Sequence, residues 1–123
     1  QQIWFAPSVF NYFSPNFRAG SLFAPELQIW STANAMTRTN WVSSLLSGGF
    51  GGSVTLNLAP FTAVAADPNA LTDTVNALLM GGTMSPSMRG AIITAINATP
   101  GATERVRTAL YVAASSMQYQ VEH

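Results

Sequence analysis

The sequence contains no cysteine and no lysine, and its single histidine is His123. Without cysteine the chain can form neither a disulfide nor a thiolate zinc site, and it has no cysteine nucleophile. A serine–histidine–aspartate triad needs a firmly held histidine, and a terminal residue is poorly suited to that role. The sequence therefore predicts no catalytic residue, no cofactor and no metal site within the chain.

Charge is also scarce. Charged residues make up 8% of the chain, against about 25% in ordinary soluble domains. Five arginines balance five carboxylates, so the formal net charge is zero. The arginines are dispersed, which argues against a nucleic-acid partner because phosphate binding needs a clustered positive field. No apolar run approaches the ~20 residues that cross a bilayer, so no membrane span is predicted.

The length of 123 residues predicts a single helical domain. Its first 25 residues are rich in aromatic side chains and broken by prolines, which favours short turns that bury the rings in an irregular wrap over a helical core. An aromatic platform for stacking a sugar or peptide is the alternative. The aromatic residues concerned are Trp4, Phe5, Phe10, Tyr12, Phe13, Phe17 and Phe23.

One long central helix is predicted from Pro25 to about Ser47, because proline and then Glu26 stand where a first helical turn favours them. The opposite face is almost uncharged, so either the helix has neighbours on several sides or a partner covers it. Helical spacing predicts a buried stripe of Leu27, Ile29, Trp30, Ala33, Met36, Trp41 and Leu45.

A helical hairpin and a C-terminal helix are predicted downstream. Asp67-Pro68 and Ser85-Pro86 each combine an N-cap with proline at the first helical position. The final helix is expected from Thr103 or Glu104, and its predicted buried stripe is Val106, Leu110, Ala113 and Met117. Between the long helix and the hairpin, residues 54–58 alternate like a strand, which indicates an extended connection or pairing outside this chain. The predicted fold class is mainly α.

Polar residues on the apolar arc of the long helix are the candidates for a polar site. Asn34, Thr37 and Asn40 could form a buried hydrogen-bond network that fixes packing, or could line a cavity. Arg38 stands twelve residues from Glu26, too far for a direct pair on one helix, so it needs a partner elsewhere. Arg38, Asn34 and Asn40 are therefore the candidate site residues.

Four segments resemble, in order, the C-terminal part of the bacterial family catalogued as domain of unknown function 1800. They are PSVFNYFSP, APELQI, LTDTVNALLMGGTMSPSMRGAIITAIN and RVRTALYVAASSMQYQ. In the last segment the family usually has proline and glutamate before the tyrosine, whereas this chain has Met117-Gln118, a departure expected to affect only a helix end.

The resemblance implies a largely helical, exported protein without an established reaction. Together with the start at Gln1 within an aromatic cluster, it predicts that the chain is the C-terminal fragment of a longer protein. The implied partner is the remainder of that protein or another exported protein, for which a sulfatase-like protein is one option, and self-association is a further option.

Three functions remain open at this point. The chain could be a helical packing or interaction module, as the scarcity of charge suggests. It could instead supply a pocket wall in an exported hydrolase or polysaccharide-active enzyme, with Arg38, Asn34 and Asn40 as the residues concerned. The third option is a self-assembling surface layer or filament component.

Overall fold

The computed structural model describes residues 14–29, 31–48 and 54–120. The described backbone is mostly helical, which confirms the mainly α fold class. Its α-helices are α1 (Thr32–Leu46), α2 (Ala59–Thr62), α3 (Pro68–Leu79), α4 (Pro86–Asn97), α5 (Ala102–Ser115) and α6 (Met117–Gln120). The chain divides into two compact units, Gln1–Thr37 and Arg38–His123. The single-domain expectation stays a prediction.

The first unit contains a small hairpin that the sequence prediction missed. Strands β1 (Arg18–Ala19) and β2 (Leu22–Phe23) pair antiparallel, with Arg18 opposite Phe23 and Ala19 opposite Leu22. The two-residue loop between them starts with Gly20 at a φ of 63°. Two-residue hairpin loops require a positive φ at that position, which glycine adopts without strain.

The aromatic wrap is described only in part, because Trp4, Phe5, Phe10, Tyr12 and Phe13 lie outside the described residues. Phe17 is half-buried, but the prediction that the rings are buried is wrong for Phe23, which is 61% exposed. Its ring lies 3.8 Å from the Arg18 guanidinium carbon, so a cation–π contact stabilises it in place of burial.

The long helix begins later than predicted. Pro25–Ile29 form a 3₁₀ helix, and α1 starts only at Thr32, after the Ser31 hydroxyl oxygen has accepted a hydrogen bond from the Asn34 amide at 3.1 Å. This is the capping geometry that serine provides at a helix N-terminus.

The predicted buried stripe of that helix is wrong. Val42 and Leu46 are its buried residues, and Leu45 is half-buried. The physical reason is that the faces of α1 differ little in polarity. Arg38 is the one charged residue in Thr32–Leu46. Of the predicted stripe, Leu27, Ala33, Met36 and Trp41 are exposed, while Trp30 and the side chain of Ile29 lie outside the description.

The second unit holds the hydrophobic core. The α4 and α5 helices make its most extensive helix–helix contact, and α3 packs on both. The core residues are Val42, Leu46, Phe61, Ala65, Leu71, Val75, Met80, Met88, Ile92, Ile96, Val106, Ala109, Leu110 and Ala113. Thr72 is also fully buried, and its hydroxyl donates to the Pro68 carbonyl at 2.7 Å.

Both predicted helix starts of the hairpin are confirmed. The Asp67 carboxylate accepts from the Asn69 amide at 2.8 Å, and the Ser85 hydroxyl oxygen accepts from the Met88 amide at 3.3 Å. These side chains satisfy amides that the first helical turn leaves without an intrahelical acceptor.

The C-terminal helix agrees with the sequence up to Ser115. Val106, Leu110 and Ala113 are buried as predicted, but Met117 is 67% exposed. The cause is Ser116, whose extended backbone (ψ 154°) ends α5 and takes Met117 off its stripe.

The connection before the hairpin contains one unpredicted element. Residues 54–58 form neither a helix nor a paired strand, which agrees with an extended connection, and the short helix α2 follows at Ala59.

Candidate functional site

Arg38 is the candidate residue with the most unusual surroundings. Its side chain is half-buried, and Nη1 is a buried atom with no hydrogen-bond partner. The guanidinium carbon lies 5.8 Å from the centroid of the Tyr119 ring, which is within the range of a cation–π contact. The ring attracts the positive charge, but the Tyr119 hydroxyl oxygen does not accept a hydrogen bond from Nη1. Arg38 therefore retains a donor that has no acceptor.

The other four arginines each donate to an oxygen atom. Arg89 Nη2 lies 2.9 Å from Asp73, and Arg107 Nη1 lies 2.7 Å from Glu104. The remaining two donate to backbone carbonyls, with Arg105 bonded to Thr99 at 3.0 Å and Arg18 to Ser21 at 3.4 Å. Within the described part of the chain, Arg38 thus differs from the other arginines in donating to no oxygen atom, but Arg107 also has a buried donor without a partner, its Nε.

Tyr119 is held near Arg38 by the turn that joins α5 to α6. The Ser116 hydroxyl donates to the Ala113 carbonyl at 2.7 Å and accepts from the Tyr119 amide at 3.1 Å. The Gln120 side-chain amide donates to the carbonyls of Ser115 and Ser116 at 3.2 and 3.0 Å. These bonds involve carbonyls at the end of α5 and an amide in the first turn of α6, the kinds of group that helix termini leave without an intrahelical partner.

Gln118 fastens α6 to the loop between α3 and α4. Its Nε2 donates to the Thr83 carbonyl at 2.7 Å, and its Oε1 accepts from the Ser85 amide at 3.1 Å. From the other side, Asn76 Oδ1 accepts from the Met84 amide at 3.0 Å. The loop is therefore held by two side-chain amides, and α6 is fixed where its tyrosine faces Arg38.

The two bonds of Gln118 require a side-chain amide. A glutamate at position 118 could accept from Ser85 but, when ionised, could not donate to Thr83. Sequence reasoning identified neither Gln118 nor Tyr119 as part of a site.

Of the three sequence-predicted site residues, Asn34 and Asn40 are exposed and Arg38 is half-buried. Asn34 lies in the first unit, where its side chain is exposed. Asn40 is exposed in the second unit, two residues beyond Arg38, a spacing that places the two side chains on different helix faces. Thr37 is exposed as well. The expectation of a buried network of Asn34, Thr37 and Asn40 is therefore wrong.

The described residues contain no group of three histidine, cysteine, aspartate or glutamate side chains that could hold a metal ion. His123 lies outside the description. Among the helices described, none is long and apolar enough to cross a membrane.

Comparison with known proteins adds no relative. No protein-family model matches the chain, and neither a curated protein nor a solved structure matches it.

Proposed function

We propose that this chain is a helical interaction module without catalytic chemistry of its own, which packs against further polypeptide. The observation that carries the proposal is the exposure of large apolar side chains in the second unit. Trp41 is 52% exposed, Leu78 61% and Met117 67%. Covering each of them would stabilise the complex by about 25 cal/mol for every Å² of apolar surface removed from water.

The scarcity of charge supports the same function. With charged residues at 8% of the chain, its polar surface depends on serine, threonine, asparagine and glutamine. Interface cores are depleted in charged residues and enriched in aromatic residues, methionine and arginine. The exposed side chains near Arg38 and on α6 match that composition.

The parent protein and its compartment are part of this proposal. The four ordered segments that resemble the C-terminal part of the exported bacterial family support a location outside the cytoplasm. On that basis the polypeptide that covers these exposed side chains in the native protein is the remainder of the parent chain or an exported partner.

Sedimentation velocity across micromolar to millimolar protein concentration tests the proposal. We expect concentration-dependent self-association of the isolated chain, together with binding of a dye that reports exposed apolar surface. Met117→Gln should weaken association, whereas Asn40→Gln, which changes an exposed polar side chain on α1, serves as the matched control. A monomer at every concentration that binds no dye would contradict an interaction module.

A further inference from the structure

The five methionines of the chain differ widely in how far solvent reaches them. Met80 and Met88 belong to the hydrophobic core and are 7% and 8% exposed, and Met84 packs against that core. Met36 and Met117 are 62% and 67% exposed. Because a thioether is oxidised only when the oxidant reaches its sulfur, Met36 and Met117 are the methionines open to oxidation.

Oxidation has different consequences at the buried and the exposed positions. A sulfoxide is polar, so at Met80 or Met88 it would stand in a closely packed apolar core and destabilise the second unit. Met117 lies outside this core, because the extended backbone of Ser116 takes it off the buried stripe of α5. Its oxidation therefore changes the surface of the unit and leaves the core packing intact.

The position of Met117 on the surface does not depend on its own side chain. The next residue, Gln118, fastens α6 to the loop between α3 and α4 through bonds to Thr83 and Ser85. Both bonds are made by the Gln118 side chain, so a chemical change at the Met117 sulfur removes neither. The sulfoxide would thus be presented at the same place as the thioether, with a polar oxygen added to an apolar contact.

We propose that Met117 is a reversible oxidation site that controls how strongly the second unit binds further polypeptide. This inference rests on the proposed interaction function, in which the Met117 side chain is covered on binding. Covering a sulfoxide removes the water that is hydrogen-bonded to its oxygen, which opposes binding.

The reaction is a two-electron oxygen transfer from a peroxide. The Met117 sulfur attacks one oxygen of hydrogen peroxide, and an S–O bond forms as the O–O bond breaks. The second oxygen leaves as water, after taking up the proton of the transferred oxygen. Sulfur is oxidised and peroxide is reduced. A methionine sulfoxide reductase returns the thioether with two electrons from a dithiol and releases the oxygen as water.

Peptide mass spectrometry of the full chain after timed exposure to hydrogen peroxide tests the modification. Met36 and Met117 should form sulfoxide at least about tenfold faster than Met80 and Met88, because the core methionines become accessible only when the unit opens. The circular dichroism spectrum should not change while these two residues alone are oxidised. Oxidation of Met117 no faster than that of Met88 would overturn the site.

Two leucine variants test the effect on binding. Leucine is close to methionine in volume and has no sulfur. Met36→Leu therefore keeps one exposed thioether, and the matched control Met36→Leu/Met117→Leu keeps none. In sedimentation velocity, peroxide should weaken self-association of Met36→Leu at least about fivefold, since the sulfoxide resists being covered. The control should not respond, and a sulfoxide reductase with dithiothreitol should restore association of Met36→Leu.

The results distinguish this inference from the proposed function. If complete oxidation of Met117 leaves the association of Met36→Leu unchanged, or if peroxide weakens the control equally, the redox control is overturned and the interaction module stands. A chain that stays monomeric at every concentration before oxidation and binds no dye would overturn both.

Discussion

Two leucines on α3 allow the orientation of that helix to be tested by one chemical change made twice. Leu71 is 0% exposed and packs in the core of the second unit, whereas Leu78 is 61% exposed on the same helix. Replacing each by alanine removes the same atoms. Any difference between the two variants therefore reports burial, and helix propensity contributes equally to both.

The expected magnitude follows from the burial of Leu71. Leu→Ala removes about three methylene equivalents, and at about 0.8 kcal/mol each the lost transfer free energy is about 2.4 kcal/mol. The cavity left among close-packed neighbours adds to this cost, so the unfolding free energy should fall by about 2.5–5 kcal/mol. Leu78→Ala should change it by less than about 0.5 kcal/mol, because the exposed side chain leaves no cavity.

Urea denaturation followed by far-ultraviolet circular dichroism measures both values. With a slope of about 1–3 kcal/mol per molar urea, Leu71→Ala should lower the midpoint by about 1 M or more, while Leu78→Ala should leave it nearly unchanged. The measurement belongs at low protein concentration, so that self-association does not contribute. Equal losses for the two variants, or a larger loss for Leu78→Ala, would refute the assigned orientation of α3.

Two further predictions concern hydrogen bonds that fix the hairpin and α6. Ser85→Ala removes the acceptor of the Met88 amide and should lower the unfolding free energy by about 1 kcal/mol in the same urea titration. Gln118→Ala removes the bonds to Thr83 and Ser85, so hydrogen exchange of the amides in α6 should become at least about tenfold faster while exchange in α4 changes little; equal acceleration in both helices would contradict a local role.

The hairpin was predictable because its signals are local and agree with one another. Asp67-Pro68 and Ser85-Pro86 specify helix starts through a side-chain acceptor and a preset φ. The spacing of Leu71, Val75, Leu78 and Leu79 predicts one apolar face, which is buried at Leu71 and Val75, but the prediction is wrong for Leu78, which is 61% exposed. Gly82, at a φ of 84°, provides the backbone conformation that follows the first of the two helices. Neither signal depends on contacts that are distant in sequence.

The short hairpin of the first unit left a signal that was overlooked. Strands of two residues cannot show alternation, so Arg18–Ala19 and Leu22–Phe23 have no readable period. The dipeptide Gly20-Ser21 between them is a recognised two-residue hairpin loop. Composition of the loop, and not periodicity of the strands, was the feature that could have identified this element.

The orientation of α1 could not be derived for a different reason. The faces of α1 differ little in polarity, so its sequence does not indicate which face is buried. Tertiary contacts at its C-terminal end determine the buried face. There Val42 and Leu46 enter the core and Trp41 stays outside. A helical projection weighs all turns equally, whereas the core of the second unit buries residues from the last turns.

The same scarcity of charge that obscured α1 makes its arginine informative. In a chain rich in lysine and glutamate, a guanidinium beside a tyrosine could find many exposed carboxylates, and its partner would say little. Here three carboxylates have described side chains, and two of them are already paired with arginines. The sequence could single out Arg38 because it lacked a partner on its own helix, but Tyr119 reaches it only through the fold. That fold depends on the turn at Ser116 and on the bonds of Gln118. The unsatisfied donor is thus a consequence of tertiary structure.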